Sequence, residues 1–201
     1  MAVTQPQISG STCCLCGGNR AQLEFVAFDF DRGANRLELR RCATCGLVRT
    51  EPACDTEELA RYYAADYYGK GAEKFVGVGE AVMRFMAARR ARQLARSPSL
   101  QPLVDLDRRP RALDIGCGRA LMLSGLAATG WECHGVERDD FPETIDAPGV
   151  QIHRGSLSKA GFDDAYFDLI IIWHALEHFT DPVTVLSDVR RLLHPRGVVA
   201  I

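Results

Sequence analysis

The chain is 201 residues long, 47% hydrophobic and 25% charged, with a formal net charge of -2 at neutral pH. Such a composition fits a globular protein with one sizeable core and room for a small appended module. It excludes collagenous and low-complexity classes, and the slightly acidic balance argues against the strong basic footprint of a nucleic-acid binder.

Residues 1–12 are polar and lack the apolar core of a secretory signal. No apolar run approaches the roughly 20 residues of a membrane span. The expectation is a disordered tail on a cytoplasmic protein with no membrane partner. A reducing compartment disfavours structural disulfides, so eight cysteines need another explanation. Cys13 and Cys16 form a C-x-x-C followed by Gly17, and Cys42 and Cys45 form a second followed by Gly46. Two residues between thiolates make a tight turn around one ion, and a following glycine eases that turn. The pattern points to a structural Zn2+ held by four thiolates. Residues 23–30 and 37–41 are strand-like, so a zinc-ribbon-like module is expected over residues 13–54. Cys14 is a wrong-register ligand candidate, and Cys54, Cys117 and Cys133 read as ordinary buried thiols. The module carries Arg32, Arg36, Arg40, Arg41 and Arg49, but also Glu24, Asp29, Asp31, Glu38 and Glu51. A solvated charged surface is favoured over a nucleic-acid face.

Residues 55–110 read as a helical connector. Asp55 and Glu58 resemble a capping box. Tyr62, Tyr63, Tyr67 and Tyr68 follow, suited to packing or to stacking on a ligand. Residues 80–96 should form a helix with Val82, Phe85, Met86 and Leu94 towards a core. Arg84, Arg89, Arg90, Arg92 and Arg96 take its other faces. Residues 97–110, with three prolines, read as a linker.

A short apolar strand over residues 112–115 then breaks at Gly116 and Gly118, and a helix-forming run, residues 121–129, follows. Strand, glycine turn and helix bring backbone close to a ligand at a helix N-terminus. Asp114 is a carboxylate near the end of a buried strand, which is costly unless it faces a partner. A dinucleotide fingerprint would need a third glycine at position 121, which is Leu121. Residues 131–137 form the second strand. It ends in Glu137, 21 residues after Gly116, the distance at which an acid can accept hydrogen bonds from ribose hydroxyls. Arg138 beside it keeps a phosphorylated dinucleotide as an alternative. Residues 150–153 are the third strand, followed by Ser156 and Leu157. Residues 167–173 are the fourth, with the β-branched run of a buried parallel strand. Asp181-Pro182 opens a helix with proline at its first position, and Val183, Leu186, Val189 and Leu193 recur at helical spacing. Residues 198–201 begin a fifth strand.

Two stretches carry a family resemblance. Leu113-Asp-Ile-Gly-Cys-Gly-Arg-Ala120 is similar to the first motif of class I S-adenosylmethionine-dependent methyltransferases, with Ala120 in place of a glycine. Phe167-Asp-Leu-Ile, then His174-Ala-Leu-Glu177-His178 and Asp181-Pro182, resembles that family's later stretch, and Leu193-His-Pro-Arg-Gly197 its following turn. The resemblance covers residues 111–201. It implies an α/β fold: a Rossmann-like, doubly wound, mostly parallel sheet. Only five of the family's seven strands have room here, so a truncated domain is expected whose exposed fifth strand favours self-association. It also implies S-adenosylmethionine held by Asp114, Gly116, Cys117, Gly118, Glu137, Arg138, Ser156, Leu157 and Trp173. Ser156 stands where the family often has an acid for the adenine amine, so backbone or Phe162-Asp163-Asp164 is the alternative contact. His174 is the candidate catalytic base, and Glu177 and His178 are loop-ordering residues. The acceptor implied is a small molecule of the sugar, polyketide or polysaccharide-precursor class. An RNA methyltransferase docking through the ribbon, and a non-catalytic nucleotide-binding module, are the alternatives.

Overall fold

The computed structural model describes residues 12–29, 35–52, 78–103, 107–141 and 145–201. The tyrosine cluster, Cys54 and the proposed capping box of Asp55 and Glu58 lie outside these residues. The chain divides into two compact units, Met1–Tyr62 and Tyr63–Ile201.

The first unit is a three-stranded antiparallel sheet of β1 (Ala21–Asp29), β2 (Asn35–Cys42) and β3 (Val48–Glu51), in that order. The sequence signalled β1 and β2 but not β3, whose four residues are too few to show a period. Two knuckles of matching geometry flank the sheet. Gly17 N–H donates to Cys13 O at 2.9 Å and Gly46 N–H to Cys42 O at 3.0 Å, with φ of +71° and +79° at the two glycines. Side chains other than glycine rarely adopt that conformation, so each C-x-x-C-G closes the same way. Arg40 is buried between Glu38, whose Oε2 accepts from its Nε at 2.8 Å, and Glu51. This pairing offsets the repulsion of Arg49, which lies directly across from Arg40 in the β2–β3 ladder.

The second unit is a five-stranded parallel sheet. Its strands are β4 (Arg111–Ile115), β5 (Glu132–Glu137), β6 (Val150–Arg154), β7 (Phe167–Ile171) and β8 (Leu193–Ala200), ordered β6-β5-β4-β7-β8. Order reverses beside β4, which makes the crevice at the carboxyl ends of β4 and β7 the switch point of the sheet. Alternation along the strands feeds two cores. Ala112, Leu169 and Ile171 pack with Leu123 and Leu126 of α2 (Leu121–Ala127), and with Ala91 of α1 (Val78–Ala95). Leu113, Ile115, Ile170 and Ile172 pack with Val189 and Leu192 of α3 (Pro182–Leu192) on the other face. Burying an aliphatic side chain of this size contributes about 1.5–3 kcal/mol, so these two layers hold the unit together. Asp181 caps α3 by accepting from the Thr184 N–H at 3.0 Å. At the amino ends of the strands, Asp168 is wholly buried and accepts from both Arg108 Nη atoms, at 2.7 and 3.0 Å, and from the Arg111 N–H at 2.8 Å. That carboxylate ties the start of β7 to the start of β4.

The structure corrects four sequence expectations. Val82, Phe85 and Met86 do not face the core; they are 51%, 62% and 38% exposed. Instead α1 turns its alanines inward, because a Cβ on Gly125 of α2 would stand 2.7 Å from Ala91 Cβ, and only small residues fit that approach. The linker over 97–110 holds a 3-10 helix, Pro98–Leu103. Leu186 is an exposed member of α3. Leu193 already belongs to β8, where Phe167 pairs Leu193 but Leu169 pairs Val198, so the His194–Gly197 segment bulges out of the ladder. Gly197 is needed there, since a Cβ would meet Leu193 Cδ1 at 2.8 Å and His194 O at 2.9 Å.

Candidate active site

β4 delivers Asp114 to the crevice, and the chain then turns through Gly116 (φ +75°), Gly118 (φ +51°) and Ala120 (φ +53°) into α2. Three left-handed residues in five fold the turn back over the strand tip. The Gly116 and Cys117 N–H groups donate to Val136 O at 2.9 and 3.2 Å, which fastens the turn to β5. A Cβ on Gly116 would sit 2.8 Å from Ala175 Cβ, so the segment after β7 closes against the same turn.

Glu137 stands at the tip of β5, 7% exposed. Its Oε2 accepts from the Gly118 N–H at 2.7 Å and its Oε1 from the Arg138 N–H at 2.9 Å. Each oxygen accepts one bond and has a second lone pair, so the carboxylate clamps the glycine turn and still has acceptor capacity for hydroxyls. Asp114 is 4% exposed, and its Oδ1 has no hydrogen-bond partner among the described residues. Burial, with Glu137's charge adding to it, pushes the Asp114 carboxyl up to about 8. A buried acid without a donor destabilises the fold unless a ligand supplies that donor. A primary ammonium is the natural complement, and the pair Asp114 and Glu137 fits an amino-acid-bearing nucleoside: one acid for the amine, one for the ribose. The turn has no Cβ at Gly116 or Gly118 to obstruct it.

The remaining predicted residues are placed as follows. Cys117 packs inward, because a Cβ on Gly135 would stand 2.6 Å from its Sγ; burial first, then Asp114 and Glu137, pushes its thiol pKa up. Arg138 pairs with Asp140 at 3.2 Å. Ser156 Oγ lies 3.0 Å from Ser158 Oγ, and Leu157 is buried at the start of a 3-10 turn after β6. Phe162 and Asp164 of the alternative Phe162-Asp163-Asp164 contact each have partners within the protein. Phe162 packs edge-on to His153 and Phe167, with centroids 4.7 and 4.8 Å apart, and Asp164 Oδ1 accepts from Arg191 at 2.8 Å. Phe162 is thus packed among aromatic rings, while Asp164 forms an exposed ion pair.

Beyond β7, Trp173 is 41% exposed and His174 adopts φ +50° with its ring in solvent. His174 Nδ1 lies 3.8 Å from Glu177 Oε1, and His178 Nε2 lies 4.0 Å from the same oxygen. These two distances place both imidazoles beside one carboxylate rather than in hydrogen bonds with it. Sequence reasoning missed Ala175, which closes on the turn, and Arg90, whose guanidinium carbon stands 5.1 Å from the Trp173 ring centroid. No motif carries either; their roles come from segments distant in the chain.

In the first unit the Sγ atoms of Cys13, Cys16, Cys42 and Cys45 all lie within 4.8 Å of one another. Cys13 and Cys45 are 3.7 Å apart, and Cys16 and Cys42 are 3.6 Å apart. Thiolates about 2.3 Å from a tetrahedral zinc are separated by about 3.8 Å, so the donor set fits that ion. N–H groups of Cys45 and Thr44 bring Cys42 down to about 6. Cys16, despite the Gly18 N–H that favours its thiolate, is pushed up to about 12, chiefly by the facing Cys45 sulfur and by burial. Mutual repulsion of this kind is what a cation relieves.

Residues 83–201 match the family described as methyltransferase domain. Demethylmenaquinone methyltransferase of Bacillus subtilis is 29% identical over 100 residues, which is 44% of this chain and 43% of that protein. A ubiquinone biosynthesis O-methyltransferase of Cereibacter sphaeroides is 33% identical over 98 residues, 44% of this chain and 39% of that one. The match thus spans about two fifths of the length of these relatives. A solved SAM-dependent methyltransferase of Archaeoglobus fulgidus aligns at 24% identity and a TM-score of 0.41, covering 55% of this chain and 48% of that chain. With the family match extending over more than half of its length, from α1 through β8, the chain belongs to the class I S-adenosylmethionine-dependent methyltransferases.

Proposed function

We propose that this protein transfers a methyl group from S-adenosylmethionine to a small-molecule acceptor. The observation that carries the reading is the orphaned, buried Asp114 beside Glu137, under a glycine turn at the switch point. Asp114 receives the ammonium of the cofactor's methionine portion, Glu137 the ribose hydroxyls, and Gly116 and Gly118 let the backbone approach. Cys117, Arg138, Ser156, Leu157 and Trp173 complete the surroundings. When bound, the cofactor supplies an electrophilic methyl group; the protein aligns the nucleophile and excludes water. His174, which follows the carboxyl end of β7 and lies near Glu177, takes the proton of a hydroxyl or carbon acid. The named functions of the curated relatives, in menaquinone and ubiquinone chemistry, support a small organic acceptor. Within that class we favour sugar, polyketide or polysaccharide-precursor acceptors. The four cysteines hold a structural Zn2+, and β8, a sheet edge with half-buried Val198, Val199 and Ala200, mediates self-association. No helix among the described residues is long and apolar enough to cross a membrane.

Calorimetry with S-adenosylhomocysteine against NAD tests the reading. Saturable binding of the former and none of the latter is expected; the reverse would overturn it. Replacing His174 by Ala should lower turnover at least tenfold, in line with general-base contributions of about 100-fold or more, while leaving cofactor affinity within twofold. Turnover unchanged would remove His174 from the mechanism.

A further inference from the structure

Residues 81–103 contain five arginines and no acid, in a chain whose net charge is -2. Because α1 turns Ala88 and Ala91 onto Gly125, Arg89, Arg90 and Arg92 are left exposed. Arg89, Arg92, Gln93 and Arg96 line an open groove on the outer side of the helix. Arg90 is set differently. Its guanidinium lies over the Trp173 ring, 5.1 Å from the centroid, and Trp173 in turn meets His174 edge-on with centroids 5.2 Å apart. Among the described residues no carboxylate lies within ion-pair distance of Arg90.

Stacking uses the face of a guanidinium and leaves its five N–H donors, all in the plane, unspent. It also fixes the direction of the fork, so less entropy is lost when the fork binds. A positioned fork with no acidic partner among the described residues, one ring away from His174, is a receptor for a planar or tetrahedral oxyanion.

We propose that Arg90, presented on Trp173, anchors an anionic group, phosphoryl or carboxylate, carried by the methyl acceptor. This inference rests on the methyltransferase reading. It narrows the acceptor to molecules that hold an oxyanion at a short distance from the methylated atom. Neutral analogues lacking that group bind poorly.

The test uses the intact protein and the two tryptophans of the chain, Trp131, which is buried, and Trp173. Tryptophan emission is followed on titration with pyrophosphate, and separately with malonate, at constant ionic strength. A saturable change is expected, its midpoint rising at least tenfold in Arg90→Gln and less than threefold in Arg92→Gln. A response to pyrophosphate alone assigns a phosphoryl group, and a response to malonate alone a carboxylate. Both outcomes support the proposal. Calorimetry with S-adenosylhomocysteine on the same samples separates the two levels of argument. Failure of the parent protein to bind it brings down the methyltransferase reading itself. Binding of it with no saturable response to either anion, or equal weakening by the two substitutions, overturns the role of Arg90 alone.

Discussion

Cofactor binding should release a proton, and the amount follows from Asp114. The carboxyl is 4% exposed with an orphaned Oδ1, and burial holds its pKa at about 8. An ammonium ligand needs the ionised form. Apparent affinity therefore scales with the ionised fraction, about one tenth at pH 7 and about one hundredth at pH 6. Binding of S-adenosylhomocysteine should strengthen about tenfold between pH 6 and 7. At pH 7 roughly nine tenths of a proton should leave per ligand bound. Calorimetry in buffers of different ionisation enthalpy reads that number directly. The same shift has a consequence for the ligand-free fold. The folded state holds a proton that the unfolded chain has lost above about pH 4, so stability falls as pH rises from about 4 to 8. Asp114→Asn should cancel this slope, raising the melting temperature at pH 8 while weakening the ligand at least tenfold. Affinity flat from pH 6 to 8 with no buffer dependence would refute the assignment of Asp114 to the amine.

The other expectations can be checked with single substitutions. Gly116→Ala places a Cβ 2.8 Å from Ala175 in a left-handed conformation, and should cost about 1–3 kcal/mol by denaturant unfolding. Asp168→Ala removes three charge-assisted or backbone hydrogen bonds from a wholly buried position; a loss of about 2–4 kcal/mol is expected, moderated because Arg108 regains water. Metal analysis of the full chain should find Zn2+, and Cys42→Ser should lose it together with amide protection in β1–β3. Persistence of S-adenosylhomocysteine binding in that variant would show that the zinc unit and the cofactor site fold separately.

Much of the site was legible because its signals are local. Two C-x-x-C-G runs carry their own turn geometry, and the positive φ at Gly17 and Gly46 is the kind glycine exists to supply. The same holds for the turn after Asp114, for the strand runs feeding β4, β5 and β7, and for the Asp181-Pro182 start of α3. Helix α1 departs from its sequence pattern for a physical reason. Its apolar residues occupy the outward side with the arginines, while its buried side is alanine, which carries almost no hydrophobic signal. Periodicity marks large apolar residues as core, whereas this close helix crossing demands small ones.

By itself, then, the sequence determined the glycine turns, most of the strands, the paired-cysteine spacing and the pair of acids, since each depends on residues within a few positions of one another. Tertiary structure alone decided which of those groups are left wanting. Asp114 Oδ1 has no donor among the described residues, Glu137 is held to Gly118 across 19 positions, and Arg90 lies over a ring 83 positions away. Burial and unmet hydrogen bonding are properties of neighbours in space, and no local pattern along the chain encodes them.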